Sequence, residues 1–101
     1  MQTFNDGTIE CYQGHDDEPA YMVRRENDCF VVSENSGRNP PMLHGVLDGS
    51  ICQYLPHHGL SCETEKLVSG RKGRLALIAF AEERYGAKVA RCSFCQRCDR
   101  I

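Results

Sequence analysis

Three cysteines near the end of the sequence have the spacing of metal ligands. Cys92, Cys95 and Cys98 form a C-x2-C-x2-C run, and thiols at this spacing typically bind a metal. One zinc ion holds its thiolates about 3.8 Å apart, whereas a straight helix would separate Cys92 from Cys98 by about 9 Å. The run must therefore turn back on itself, as a strand that leads into a C-x2-C knuckle does.

A tetrahedral zinc site needs a fourth ligand. We predict Cys62 in this role, with Cys52, His57 and His58 as alternatives; any of them would tie the tail to the body of the protein. An iron–sulfur cluster, a disulfide and uncoordinated thiols are the other readings of the run. A ferredoxin-type run would continue to a fourth cysteine followed by proline, and a catalytic zinc generally uses more histidine and an open position. The sequence thus favours structural zinc held by Cys62, Cys92, Cys95 and Cys98.

Arginines bracket the cysteine run. Arg91, Arg97 and Arg100 would offset the negative charge of a zinc–thiolate centre, or they are solvated side chains. Phe94 lies between them and could stack on a nucleic-acid base, although an aromatic side chain in a knuckle more often packs over the metal site.

A second basic segment, from Ser69 to Arg74, is predicted to open a helix. Backbone N–H groups at a helix start attract anions, and glycines allow close approach of the backbone. Gly70 and Gly73 form a GxxG, so that the stretch from Ile51 to Arg91 resembles the strand-helix-GxxG-helix-strand core of the KH nucleic-acid-binding family. The resemblance implies a backbone clamp at the two glycines; alternatively they only connect two helices. The candidate anion-binding residues are Arg71, Lys72, Arg74, Arg91, Arg97 and Arg100.

Motifs of common enzymes are missing from the sequence. It contains neither a Gly-x-Ser-x-Gly elbow nor an H-E-x-x-H pair, and His44 has no identifiable catalytic partner. The run from His15 to Glu18 could bind a divalent cation but is more typical of a solvated turn. Cys11 and Cys29 lie in strand-like surroundings and are expected to be ordinary buried thiols. We therefore do not expect an enzyme.

The pattern of the chain predicts an α+β fold that begins with a small antiparallel sheet of four to five strands in two hairpins. Asn27-Asp28 and Asp48-Gly49 are the predicted turns. The predicted strands are Thr8 to Gln13, Ala20 to Arg25, Cys29 to Ser33, Met42 to Leu47 and Ile51 to Leu55.

Two helices are predicted to follow the sheet. Ser61 would cap a short helix from Cys62 to Val68, and a long apolar helix would run from Lys72 to Tyr85 and end at Gly86. The long helix is apolar nearly all round in its first turns, so it needs cover from the sheet and from a second surface. That surface is its own domain, a partner or a second copy. Ala87 to Arg91 would form a last short strand before the Cys-rich knuckle.

The composition predicts one small domain over residues 1 to 101. Of the 101 residues, 41% are hydrophobic and 26% are charged, so the core is small and a metal clamp would supplement it. The seven cysteines are an odd number, which favours a reducing compartment. Neither a secretory signal nor an apolar run of about 18 residues is recognisable. We therefore expect a cytoplasmic protein with no membrane partner.

Charge is divided unevenly along the chain. Residues 1 to 69 carry eleven acidic and four basic side chains, a balance of −7, and residues 70 to 101 carry three acidic and eight basic ones, a balance of +5. Either the two parts attract each other or the basic part meets an anionic partner.

Two functions fit these features. A small non-enzymatic regulatory or inhibitory protein that docks on a larger protein or nucleoprotein complex would explain the missing catalytic motifs and the apolar helix. The alternative is a nucleic-acid-binding module that uses the Gly70 to Gly73 loop and the Cys-rich tail. A homodimer through the apolar helix is a further expectation for the partner.

Overall fold

The structure, a computed structural model, describes residues 1–34, 40–47, 50–51 and 65–92. Within these ranges the chain forms seven strands, two α-helices and one 3₁₀ turn. In chain order they are β1 (Gln2–Phe4), β2 (Ile9–Gln13), α1 (Gly14–Arg24), β3 (Cys29–Ser33), β4 (Met42–Leu47), β5 (Ser50–Ile51), β6 (Glu65–Ser69), the 3₁₀ turn (Arg71–Gly73), α2 (Arg74–Tyr85) and β7 (Ala90–Arg91).

The strands belong to one mixed sheet with six strand positions, in the order β1-β2-β6-β3-β4-β5. Neighbours in this order are antiparallel. β5 and β7 share the sixth position, because β5 pairs with one end of β4 while β7 runs parallel to its other end. β6 comes late in the sequence but lies in the middle of the sheet, so the sheet depends on contacts between distant parts of the chain.

The predicted α+β class is confirmed, but the predicted sheet is wrong in its size and in its purely antiparallel character. Val46 pairs with Ile51 across residues 48 and 49, which confirms the hairpin predicted around Asp48-Gly49 as far as Ile51. The predicted continuation to Leu55 and the predicted Cys-rich knuckle lie outside the described residues.

A hairpin that was not predicted joins β1 to β2. Asn5, Asp6 and Gly7 all have positive φ, at 52°, 57° and 90°, and Asn, Asp and Gly are the residues that tolerate this conformation best. The N–H of Gly7 donates to the carbonyl of Phe4 at 3.1 Å, which closes the turn. The Asn-Asp-Gly triplet was the available sequence signal.

The predicted strand from Ala20 to Arg25 is wrong, because these residues belong largely to α1. The Asp17 carboxylate accepts hydrogen bonds from the N–H of Gln13 at 2.9 Å and from the N-terminal ammonium at 2.6 Å, which stabilises the first turn. Pro19 lies inside the helix. Because proline usually disrupts a helix, its presence favoured the prediction of a strand over that of a helix. The hairpin predicted around Asn27-Asp28 is therefore wrong as well.

The predicted helix from Cys62 to Val68 is also wrong in its described part, since β6 occupies Glu65 to Ser69. This strand pairs with β2 on one side and β3 on the other, and all five of its residues are buried. Pairing on both sides outweighs the weak helix propensity of so short a segment. The GxxG thus follows a strand rather than a helix, which overturns the resemblance to the KH core.

The long helix is confirmed with a shorter extent, Arg74 to Tyr85, after the 3₁₀ turn. Gly86 ends it in a left-handed conformation, with φ of 64°, and its N–H donates to the carbonyl of Glu82 at 2.9 Å, as a C-terminal glycine cap does. The described residues cover only one side of the helix, because only Leu77 and Ala81 are fully buried; cover by a second surface stays a prediction. The last strand is confirmed but is only two residues long.

The two helices pack on opposite faces of the sheet. Residues paired across antiparallel strands point to the same side, so the register assigns each strand residue to one face. Phe80 of α2 packs on Phe4 with ring centroids 4.9 Å apart, and Tyr21 of α1 packs on Tyr12 at 5.7 Å. The α2 face includes Ile9, Cys11, Phe30, Val32, Leu43, Glu65 and Leu67, and the α1 face includes Tyr12, Val31, Ser33, His44, Lys66 and Val68. Neither helix of the described ranges has the length and apolar content to cross a membrane.

Candidate functional site

Half of the predicted site residues fall within the described part of the chain: Arg71, Lys72, Arg74, Arg91 and Cys92. In that part, His, Cys, Asp and Glu side chains form no group of three or more that could hold a metal ion. The zinc site therefore stays a prediction. Outside the described residues are Cys62, Cys95, Cys98, Arg97 and Arg100, together with the alternative ligands Cys52, His57 and His58.

Cys92, the first cysteine of the run, lies against β4. Its N–H donates to the carbonyl of Leu43 at 3.0 Å. The parallel register that pairs Leu43 with Arg91 thereby continues by one residue and sets Cys92 beside His44. Cys92 is 2% exposed and His44 is 3% exposed. A cysteine and a histidine thus lie side by side on neighbouring strands, away from solvent.

The imidazole of His44 is buried on the α1 face. Its Nδ1 atom has no hydrogen-bond partner among the described residues. Burial, assisted by the positive charge of Lys66, lowers the pKa of His44 to about 4. The side chain is therefore neutral near pH 7, which is the form that binds metal ions.

Lys66 and Ser33 form a buried pair beside His44 on the same face. Lys66 Nζ donates to Ser33 Oγ at 2.7 Å, and both residues are 6% exposed. Burial lowers the pKa of Lys66 below its ordinary value, and Glu34 only partly counters the effect. A lysine of lowered pKa beside a serine hydroxyl can serve as a general base in acyl transfer. In this protein the Ser33 hydroxyl is buried, so a substrate does not reach it.

The opposite face of the sheet carries a buried carboxylate whose hydrogen bonds are complete. Arg84 Nε donates to Glu65 Oε1 at 2.7 Å, and Arg84 Nη2 donates to Oε2 at 3.0 Å. The Tyr85 hydroxyl donates to Oε1 at 3.1 Å and the Cys11 thiol donates to Oε2 at 3.0 Å. Burial raises the pKa of Glu65, but the hydrogen bonds from Arg84 and Cys11 outweigh it and hold the pKa below its ordinary value.

Two cysteines outside the tail are buried thiols, as predicted. Cys11 is 4% exposed and Cys29 is fully buried. Burial, with the hydrogen bond to Glu65, raises the pKa of Cys11 to about 12, and burial raises the pKa of Cys29 to about 11. A thiol with so high a pKa is a poor nucleophile and a poor metal ligand near neutral pH.

The basic segment before α2 is engaged with the body of the protein. Arg71 forms an ion pair with Asp28 at 3.2 Å, and Arg84 further along pairs with Glu65. Acidic residues of the first 69 positions thus bind basic residues of the last 32. This supports attraction between the two parts of the chain as one explanation of their opposite net charges. Lys72 and Arg91 are exposed, and Arg74 is half-buried.

Close packing explains the second glycine of the GxxG. A Cβ atom at Gly73 would lie 3.0 Å from the Cβ of Ser69 and 3.2 Å from the Cγ2 of Thr8. Both distances are shorter than ordinary contacts of a Cβ atom, so Ser69 and Thr8 would have to shift by a few tenths of an ångström to admit a side chain. Gly73 therefore allows the 3₁₀ turn to pack against the sheet, a structural role that needs no bound anion.

One side of α2 carries apolar side chains that the sheet does not cover. Leu75 is 68% exposed. The small residues beside it are exposed as well, and a lysine and a glutamate lie at the two ends of the same side. We call this surface the outer face of α2; it consists of Leu75, Ala76, Ala79 and Glu83 of the helix and of Lys72 in the 3₁₀ turn before it.

The grouping of His44 with Cys92 and Lys66 was not predicted from the sequence. Neighbouring positions in a sheet follow from strand pairing, and β6 had been assigned to a helix. The alternation of Glu65 and Lys66 to opposite faces would have been a usable signal only with β6 assigned as a strand. Comparison of the chain with family models, with curated proteins and with solved structures finds no match.

Proposed function

We propose that this protein is a small non-enzymatic regulatory or inhibitory protein that docks on a larger protein through the outer face of α2. The supporting observation is the exposure of Leu75, 68%, on a helix whose other side is buried. Ala76 and Ala79 continue the apolar surface one turn further along. Spacing of this kind is used when a helix lies in the groove of a partner.

The charges at the two ends of the outer face define the kind of partner. Lys72 precedes the apolar residues and Glu83 follows them, and neither has an ion-pair partner within the described ranges. The small side chains of Ala76 and Ala79 permit close approach of another backbone. We therefore expect a partner with a shallow apolar groove, an acidic group at one end and a basic group at the other.

The buried polar groups support a function without catalysis. Among the described residues, Ser33 and Lys66 come closest to the arrangement of a catalytic pair, and both are 6% exposed. The Cys11 thiol has a raised pKa and donates to Glu65. We interpret these groups as structural, and the exposed outer face of α2 is the surface that supports the docking proposal.

The proposal includes a structural zinc ion held by the C-terminal cysteine run. Its support is the spacing of Cys92, Cys95 and Cys98 together with the buried position of Cys92. Zinc bound there would hold the tail and β7 against β4, where two paired residues alone give little stability. Unpaired thiols and a zinc–thiolate site both suit the reducing cytoplasm, where we place the protein.

The docking proposal is tested by charge substitutions on α2 and on α1. We expect Leu75→Glu to abolish retention of the specific partner in a quantitative pull-down, because the substitution places a carboxylate in an apolar contact. Val23→Glu is the matched control, since Val23 is 60% exposed on α1. Both variants should keep the melting temperature of the wild type.

The proposal is judged by which of the variants lose the retained partner in the pull-down. A protein retained by the wild type and by Val23→Glu, but lost with Leu75→Glu, supports the proposal. Equal retention by all three would contradict it. A dimer in light scattering that dissociates in Leu75→Glu would identify a second copy as the occupant instead of a larger protein.

The nucleic-acid alternative has less support from the described residues. Arg71 is paired with Asp28, and Gly73 is explained by packing. Lys72 and Arg91 are the exposed cations that favour it. Binding of a labelled single-stranded oligonucleotide that weakens steeply with salt, and that is lost in Lys72→Ala/Arg91→Ala, would revive this function.

A further inference from the structure

The first strand, β1, forms one edge of the sheet. Within the described residues it pairs only with β2, through Gln2, Thr3 and Phe4. Gln2 and Thr3 are exposed, and an edge strand directs the N–H and C=O groups of alternate residues away from the sheet. Those groups can pair with the backbone of another extended chain. β1 therefore offers main-chain hydrogen bonds to a polypeptide.

A cleft opens beside this edge, between β1 and α2. It has a volume of about 370 Å³ and is lined by Phe4, Asn5, Phe80, Glu83 and Arg84. The rings of Phe4 and Phe80 are half-buried, and their centroids are 4.9 Å apart. The volume is at the lower end of the range for ligand sites, about 300–1,000 Å³. The cleft is thus large enough for one or two side chains, and it presents aromatic surface to them.

The cleft and the edge belong to the same side of the sheet. Phe4 pairs with Ile9, and both lie on the face that α2 covers. A strand added to β1 would lie about 4.8 Å from it and would direct every second side chain to that face. One extended segment could therefore use the backbone of β1 and the rings of Phe4 and Phe80 at once. A compact small molecule could use only the cleft.

The charge around the cleft favours a basic segment. Glu83 is exposed and has no ion-pair partner in the described part of the chain. Asp6, which follows Asn5 in the turn after β1, is exposed as well. The cation in the lining, Arg84, is balanced by Glu65 at 2.7 Å. A lysine or arginine would thus be attracted to this rim, whereas a carboxylate would be repelled.

We propose that the β1 edge and the cleft beside it bind an extended segment of a partner polypeptide by strand addition. One apolar side chain of the segment packs against Phe4 and Phe80, and a lysine or arginine lies near Glu83. The proposal goes beyond docking through the outer face of α2, because it names a second surface with a different chemistry. The two surfaces share only Glu83, and the new one does not involve the zinc site.

Peptide selection followed by affinity measurement tests the proposal. A phage-displayed library of random dodecapeptides would be selected on the full chain, and the enriched sequences would be synthesised with a fluorophore for anisotropy. We expect them to alternate apolar and polar residues and to carry Lys or Arg. N-methylation of a peptide amide that faces β1 should weaken binding by about three- to tenfold, the loss of one hydrogen bond. Methylation of the amides that face away should have little effect.

Charge reversal at Glu83 tests the cleft without altering the core. Glu83→Lys should weaken binding of the basic peptides by about fivefold and strengthen binding of versions that carry glutamate in place of the basic residue. Glu26→Lys is the matched control, because Glu26 is exposed just after α1 and the net charge changes equally. Leu75→Glu should bind the peptides as the wild type does, so failure of docking through α2 and failure of this proposal are distinguishable.

Amide NMR of the wild type locates the bound peptide. The largest changes should fall on residues 2–5 and 80–84. A library without enriched sequences would overturn the proposal, and so would peptides that tolerate methylation of every amide or that shift α1 instead. A dimer that shifts the β1 amides as the protein concentration rises, with no peptide present, would replace the partner polypeptide with a second copy of the chain.

Discussion

Glu65 and Lys66 are adjacent in the central strand, yet they occupy opposite faces of the sheet in different electrostatic conditions. Glu65 accepts four hydrogen bonds, from Arg84, Tyr85 and Cys11. Lys66 donates to Ser33 and lies near a histidine whose Nδ1 is unpaired among the described residues. The buried charge of Glu65 is thus paired with a guanidinium, whereas Lys66 donates to a neutral hydroxyl and lies near an imidazole nitrogen that is unpaired among the described residues.

The difference indicates which face of the sheet has its buried polar groups more completely hydrogen-bonded. A complete network of buried hydrogen bonds stabilises one arrangement of its members. An incomplete one is costly unless another group completes it. We therefore interpret the Glu65 network as the set of contacts that holds α2 to the sheet, and the surroundings of His44 as the less completely hydrogen-bonded part of the core.

The largest effect is expected from removing the partner of Glu65. Arg84→Leu leaves a buried carboxylate with two weaker donors and should lower the free energy of unfolding by about 2 kcal/mol. This is less than the 3–5 kcal/mol typical of fully buried pairs, because the Arg84 side chain is 35% exposed. It also removes the guanidinium from above the rings of Phe4 and Phe80, at 5.5 and 5.9 Å. Urea unfolding measures the change.

The double variant Arg84→Leu/Glu65→Gln is the control for that interpretation. Because the double variant removes the Glu65 charge that Arg84→Leu leaves without an ion-pair partner, it should recover part of the lost stability. A double variant that is less stable than Arg84→Leu by the full cost of Glu65→Gln alone would show that the two residues do not interact.

A smaller effect is expected on the other face. Lys66→Met in metal-free protein should change the free energy of unfolding by less than about 1 kcal/mol, because the loss of one hydrogen bond is offset by relief of a desolvated charge. Chemical denaturation of the two variants under one set of conditions gives the comparison. A loss for Lys66→Met as large as that for Arg84→Leu would contradict the contrast between the faces.

Acid should affect the Glu65 network in a defined range. The pKa of Glu65 is lowered in the folded state from its ordinary value of 4.5, so its contribution to stability is present above pH 4.5 and is lost as the pH falls through the folded-state value. Glu65→Gln should therefore flatten the fall in stability below pH 4.5. Asp17→Asn is the control, because Asp17 also has a lowered pKa but lies outside the network. A curve for Glu65→Gln parallel to that of the wild type would refute this assignment.

The smallest effect concerns the reactivity of Cys11. The thiol is 4% exposed and its pKa is raised to about 12, so we expect it to resist iodoacetamide at pH 8 in the folded protein and to react fully in denaturant. Mass spectrometry of proteolytic peptides resolves the site. Arg84→Leu should speed the labelling of Cys11 by loosening the network, whereas labelling of Cys11 in the native wild type at the denatured rate would show that the network is open.

Local signals predicted the elements whose patterns agree with their environment. Met42 to Leu47 and Cys29 to Ser33 are apolar and β-branched and form strands, and Gly86 ends α2 as predicted. α1 was missed because Pro19 and the apolar residues after it suggested a broken, extended segment. Whether an element was predicted correctly depended on whether the local sequence pattern or the pairing with distant residues determined its structure.

The central strand and the site near it could not be read from local pattern. Glu65 and Lys66 have the composition of a solvated helix, yet both are buried by pairing with β2 and β3. The spacing of the cysteines indicated a metal without structural help. The position of Cys92 beside His44 follows only from the register between β4 and β7, since the two residues are 48 positions apart in the sequence.

X-ray absorption at the zinc edge of the purified full chain tests the central claim most directly, because it counts the ligand types around the metal. The account predicts one zinc per chain, coordinated by at least three sulfur atoms at about 2.3 Å. A zinc ion with fewer than three sulfur ligands would contradict binding by the cysteine run, and zinc-free protein that stays zinc-free when the metal is supplied would contradict the metal site altogether.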